Sequence, residues 1–222
     1  MNFEPRLYVR YNGRMTPTLL LKGGPIVWLL LLASAGAIAI FVERLLHYHR
    51  AQINTTEFLF GLRNVLRQKN VIEALSICDA APGPVARLVK TALLNREKSR
   101  AEIKEAMEQA GALEVARLEE RLNLLATIAQ LAPLLGLLGT VLGFVDIFQV
   151  LQKEGLYAHA ALLSGGVWKA LISSGVGLAV AIPAYAGHNY LVGEVSALAL
   201  DMEKTSIDAL NLLSELGAPA KS

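Results

Sequence analysis

The chain has 222 residues, 54% of them hydrophobic and only 18% charged, with a positive mean hydropathy, a balance that fits an integral membrane protein and argues against an ordinary soluble domain. Lys plus Arg (21) nearly equals Asp plus Glu (19), so no charge excess points to nucleic acid as a partner. The single cysteine, Cys78, excludes an internal disulfide framework, and no Cys/His cluster has the spacing of a zinc site.

Residues 1–25 are polar and aromatic, with Gly13, Pro17, Gly23, Gly24 and Pro25 breaking any long helix, and read as a periplasmic or interfacial tail. Residues 26–42, IVWLLLLASAGAIAIFV, are 17 apolar or small residues, the lower limit for a first transmembrane helix. A signal peptide is the competing reading, since a basic leader precedes an apolar run. The run continues through Phe41 to the charged pair Glu43 and Arg44, which favours a span. These two residues, with His47 and His49, read as interfacial anchors.

Residues 43–121 hold 13 Lys or Arg and 11 Asp or Glu and form the one large polar segment, a cytoplasmic helical domain. Phe58, Leu62, Val65, Leu66 and Ile72 predict a helix from about Glu57 to Ile77, interrupted afterwards by the APGP at 81–84. Ser99-Arg-Ala-Glu102 has the capping-box form and predicts a second helix start. Apolar steps of three and four through Val115, Leu118, Leu122, Leu125 and Ala129 then predict one unbroken helix from about 99 to 151. At about 1.5 Å per residue that is a rod of roughly 80 Å, bent at Pro133.

Its second half, residues 122–151, is the second transmembrane helix and carries one formal charge, Asp146. Ala126, Ala129, Pro133, Gly136, Thr140 and Gly143 line one face of it. A periplasmic linker, 152–164, contains Lys153, Glu154, Gly155 and His159. The third transmembrane helix is read over 165–192, where Ala170, Ser174, Gly177, Ala181 and Ala184 make a matching small face. Residues 193–222 form a cytoplasmic, amphipathic C-terminal helix and tail. Trp28 and Trp168 fall near outer span ends, as interfacial aromatics do.

Lys104, Arg117 and Arg121 flank one side of the hairpin made by spans two and three, against Lys153 alone on the other, which makes 43–121 cytoplasmic. Three spans then place the N-terminus in the periplasm and the C-terminus in the cytoplasm. Arg6, Arg10, Arg14 and Lys22 before the first span pull the other way.

ARLEERLNLLATIAQLAPLLGLLGTVLGF followed by ALISSGVGLAVAIPA resembles the MotA/TolQ/ExbB proton-channel family, in its ExbB and TolQ branch. The resemblance covers roughly residues 26–200, and its core is APLLGLLGTV at 132–141 plus GLAVAIPA at 177–184. It implies an all-α membrane protein that assembles as a homo-oligomeric ring, a pentamer, around a central pore in the bacterial inner membrane. A single-span ExbD-like or TolR-like partner would occupy the pore, and the proton motive force would drive a TonB-like or TolA-like protein. ExbB-like energising of outer-membrane nutrient uptake is the leading expectation, with a TolQ-like role in envelope integrity beside it. The family's pore threonines fall on Thr140 and Ser174. Ser replaces Thr at 174, and many members carry Glu where this chain has Lys169.

With the resemblance, Thr140, Ser174, Gly136, Gly143, Ala170, Gly177 and Ala181 are the expected pore-lining set. Without it, the small faces serve helix packing alone, and the chain is a passive membrane scaffold. Neither face carries Asp, Glu or His near mid-membrane, so a titrating carboxylate must come from another chain. Asp146 and Lys169, each costly alone in lipid, are expected to form a structural ion pair. No nucleophile–base set, metal spacing or phosphate loop suggests an enzyme, and no cofactor is expected.

Overall fold

The computed structural model describes residues 24–52, 54–68, 70–155 and 160–217, and their regular structure is entirely helical. The tail expected at 1–25, apart from Gly24 and Pro25, lies outside the described residues, as do His159 and the last five positions.

Helix α1 (Pro25–Ala51) starts where sequence chemistry allows it. Gly24 takes a positive φ of 75°, and Pro25 at the first helical position has the preset φ and lacks only an N–H that would have no partner there. The helix outruns the span read at 26–42 by nine residues. The helix expected over 57–77 is instead two, α2 (Thr55–Arg67) and α3 (Val71–Ala80). Asn54 and Asn70 each accept the amide of the Glu three residues on, and the second of these caps starts a new helix where periodicity had suggested continuation. Helix α4 (Pro84–Leu94) was not anticipated: the APGP that ends α3 also starts α4, with Pro84 at its first turn after Gly83 at φ 99°.

Helix α5 (Arg100–Glu119) opens on the expected capping box, in which the Glu102 amide reaches Ser99 Oγ while the Glu102 carboxylate takes the Ser99 amide at 2.9 Å. The rod expected to run unbroken lapses in its hydrogen-bonding pattern at Glu120 and Arg121, then resumes as α6 (Leu122–Glu154) with Pro133 inside it. Helix α7 (Ala160–Gly217) runs 58 residues, so the third span and the amphipathic C-terminal stretch are one helix, begun five residues earlier than expected. Among the described residues, three helical stretches are long and apolar enough to cross a membrane: α1, the stretch from Arg100 to Glu154, and α7. The chain is an all-α, multi-pass membrane protein.

The chain divides into two compact units, one comprising residues up to Gly36 and Ile128–Ala184, the other Ala37–Thr127 and Tyr185 onward. In the first, Ile26 and Leu30 of α1 form a core with Ala132 of α6 and Val180 and Ala181 of α7. In the second, Leu62, Leu66, Cys78, Leu88, Val89, Leu93, Ile103, Met107 and Leu210 bring α2 to α5 and the end of α7 into one core. Buried Glu114 of α5 is clamped there by Arg87 Nη2 at 2.7 Å and Arg117 Nη1 at 2.8 Å, which keeps its charge paired.

Candidate functional site

The first unit is organised by an antiparallel seam between α6 and α7. Small residues let the two backbones touch: a Cβ placed on Gly136 would stand 2.9 Å from the Ser173 carbonyl and 3.2 Å from Gly177 Cα. One placed on Gly143 would stand 2.7 Å from the Gly166 carbonyl and 2.8 Å from the Ala170 Cβ. Close approach through glycine and alanine is how helices associate in lipid, where apolar burial supplies no driving force between them. Gly136, Gly143, Ala170, Gly177 and Ala181 are all buried. These five, expected to line a pore, lie along the contact between α6 and α7.

Thr140 and Ser174 are placed differently. Both are half-buried and stand at the edge of the seam. At about 100° per residue, Thr140 falls roughly 70° to one side of the line through Ala132, Gly136, Gly139 and Gly143, and Ser174 falls roughly 70° to the same side of the corresponding line on α7. Gly136 lies against Ser174 Cα and Gly143 against Ala170, so the two hydroxyls come within about one turn of each other in depth. The flank they share is open. Leu137, Phe144, Leu171 and Leu178 on it are more than half exposed. Thr140 Oγ1 donates to the Leu137 carbonyl at 2.5 Å, leaving the lone pairs of its hydroxyl for a second partner. Among the described residues this flank carries no Asp, Glu or His.

The opposite flank is covered by α1. Ile128, Leu135, Leu142 and Val176 pack there beside Ile26 and Leu30. An ion pair lies on that side: Lys169 Nζ donates to half-exposed Asp146 Oδ2 at 2.8 Å, and the lysine stem passes over Gly24, where a Cβ would come within 2.9 Å of Lys169 Cε. Asp146 points roughly 120° away from Thr140. The hydroxyls and the ion pair therefore occupy opposite sides of one helix pair.

One residue escaped sequence reading. Ser173, fully buried, hydrogen-bonds the Lys169 carbonyl at 2.8 Å and packs directly on Gly139. Gly139 and Ser173 are each one position from Thr140 and Ser174, off the regular three-and-four spacing of the small faces, so the pattern does not mark them.

The model of the MotA/TolQ/ExbB proton channel family matches residues 80–204, more than half of the chain. The chain belongs to this family. Its similarity to the family extends to a putative biopolymer transport protein ExbB homolog of Methanothermobacter thermautotrophicus, 30% identical over 176 residues, which cover 78% of this chain and 62% of that one. A putative biopolymer transport protein ExbB-like 1 of Synechocystis sp. is 35% identical over 175 residues, 75% of this chain and 68% of its own. The Tol-Pal system protein TolQ of Haemophilus influenzae is 38% identical over 96 residues, 43% and 42% of the two chains. The chain thus spans under two thirds of the archaeal family member's length. The family match takes in all of α6 and the membrane part of α7, and so includes the seam and both of its flanks.

Proposed function

We propose that this chain is the wall subunit of a proton-driven energy transducer in a bacterial inner membrane. Copies of it form a homo-oligomeric ring, a pentamer by family resemblance, whose pore faces the open α6–α7 flank, while α1 stands on the lipid side. A single-span ExbD-like or TolR-like protein enters the pore with the carboxylate that this flank lacks, and Thr140 and Ser174 order water or hold that carboxylate as it gains and loses its proton. The motion is passed to a TonB-like protein that energises outer-membrane nutrient uptake. The N-terminus is periplasmic and the C-terminus cytoplasmic.

The observation that carries this reading is the position of the two hydroxyls. They share one open side of the helix pair, opposite the side that α1 covers. Proton relays through a bilayer need a titrating group, and this flank carries none among the described residues, which supports a carboxylate supplied by a second chain. Similarity to a TolQ protein keeps a TolQ-like role in envelope integrity as the second reading. Liposomes holding this chain with its single-span partner should pass protons down an imposed gradient, and liposomes holding either protein alone should not. Equal tightness of all three preparations would return the chain to a passive scaffold. Which of a TonB-like or TolA-like protein co-purifies decides between the two roles.

A further inference from the structure

Two polar side chains lie on α6 between Ile128 and Phe144, those of Thr140 and Gln130. The hydroxyls at the edge of the seam account for Thr140 and leave Gln130 without a role. Steps of seven residues return to nearly the same face of a helix, about 20° apart, so Gln130 continues the line of Leu137 and Phe144. All three are exposed, and their line belongs to the flank that Thr140 and Ser174 share, away from α1. The remaining exposed positions of this stretch, Leu131, Leu134, Leu138 and Val141, are all apolar. Gly136 packs on Ser174, with its Cβ position 3.3 Å from the Ser174 Cα. Gln130 therefore lies about 9 Å along α6 from the level of Ser174, on its cytoplasmic side in the proposed topology.

A carboxamide carries donors and acceptors that hydrocarbon leaves unpaired, which makes an exposed glutamine costly inside a bilayer. Among the described residues Gln130 has no hydrogen-bond partner. Leucine suits a lipid-facing position better, and Leu131 next to it is exposed on another side of the helix. We propose that Gln130 is a positioning residue of the proton path, its carboxamide holding water on the cytoplasmic side of Thr140 and Ser174. This rests on the proton-transducer reading and extends its path inward by about two turns of α6. About three waters at a hydrogen-bond spacing of roughly 2.8 Å bridge the interval to Ser174. The carboxamide accepts at Oε1 and donates through Nε2 but neither gains nor loses a proton, so it orients a water chain without trapping the charge. The titrating group remains the carboxylate of the single-span partner.

Accessibility tests this without reference to transport. A charged methanethiosulfonate reacts with thiolates in contact with water, and the parent's single cysteine, Cys78, is buried and sets the background. In membranes holding the assembled complex, Gln130→Cys is expected to label at least tenfold faster than Leu131→Cys, which points about 100° away at the same depth. Equal rates at the two positions, or no labelling at 130, overturn the proposal. Proton flux in liposomes then tests the role. Gln130→Leu keeps most of the volume and removes the polar atoms, and is expected to cut flux at least tenfold with assembly unchanged. Gln130→Asn keeps the carboxamide and loses a methylene, and is expected to stay within about threefold of the parent. The reverse order assigns the residue to packing and overturns the proposal, as does parental flux from Gln130→Leu. Flux missing already from the parental complex refutes the transducer reading, while the labelling contrast still decides whether water reaches Gln130.

Discussion

The seam between α6 and α7 should be most sensitive at Gly139. A methyl group there would overlap the Ser173 Cβ and stand 2.6 Å from its Oγ, against ordinary contact distances of about 3.5–4.0 Å. The two helices would have to part by roughly 1 Å or rotate, and overpacking of this kind costs about 1–3 kcal/mol. Alanine's better helix propensity returns up to about 1 kcal/mol, leaving a net loss of roughly 1–2 kcal/mol, or about 5–30-fold in the folding equilibrium. Ser173→Gly removes the atoms that collide, so Gly139→Ala combined with Ser173→Gly should recover most of that loss, with a coupling energy on the order of 1–2 kcal/mol. Equilibrium unfolding of the four proteins of this cycle in micelles measures it. If Gly139→Ala unfolds like the parent, or if the two changes are merely additive, the close approach does not hold these helices together.

Three further outcomes follow from the second unit. Gly83 sits at φ 99°, with a Cβ there overlapping the Ala51 carbonyl, so Gly83→Ala should lower stability by about 1–3 kcal/mol and reduce Tm, while Gly61→Ala, in open space within α2, should not. The Ser99 hydroxyl and amide hold the Glu102 carboxyl below its ordinary value of 4.5. Since the folded value is depressed, the cap's contribution is complete above the unfolded value and lost as pH falls through the folded one, so amide protection at residues 100–103 should decline as pH is taken below the ordinary value of 4.5, and the decline should vanish in Glu102→Gln. Burial pushes the Cys78 thiol up to about 11, so alkylation at pH 8 should run over a hundredfold slower than for a free cysteine and recover on unfolding; prompt labelling of the folded protein would contradict this packing.

Much of this architecture is legible in the residues. The three apolar runs, the capping box at Ser99 and the resemblance carried by APLLGLLGTV and GLAVAIPA point to the fold that is found. Helix ends were harder wherever a local polar cap overrides periodicity. Asn70-Val-Ile-Glu73 repeats the form of Asn54-Thr-Thr-Glu57, and either could have divided the helix expected over 57–77. The small faces of α6 and α7 were visible as patterns, but spacing alone does not say whether a face meets a neighbouring helix or an open pore. Gly136 against the Ser173 carbonyl and Gly177 against the Ala132 carbonyl place a neighbouring helix at both, and the hydroxyls a third of a turn or less away stand at the edge. The lapse at Glu120–Arg121 has no local signature, since the residues around it include neither glycine nor proline.

We propose that the Thr140 and Ser174 hydroxyls carry the proton path. Proton flux through liposomes containing the chain and its single-span partner tests it when Thr140→Val is combined with Ser174→Ala, changes that keep helix volume close to the original. Assembly at the parental level with flux reduced at least tenfold is the expected result. Parental flux from the assembled double variant would contradict it.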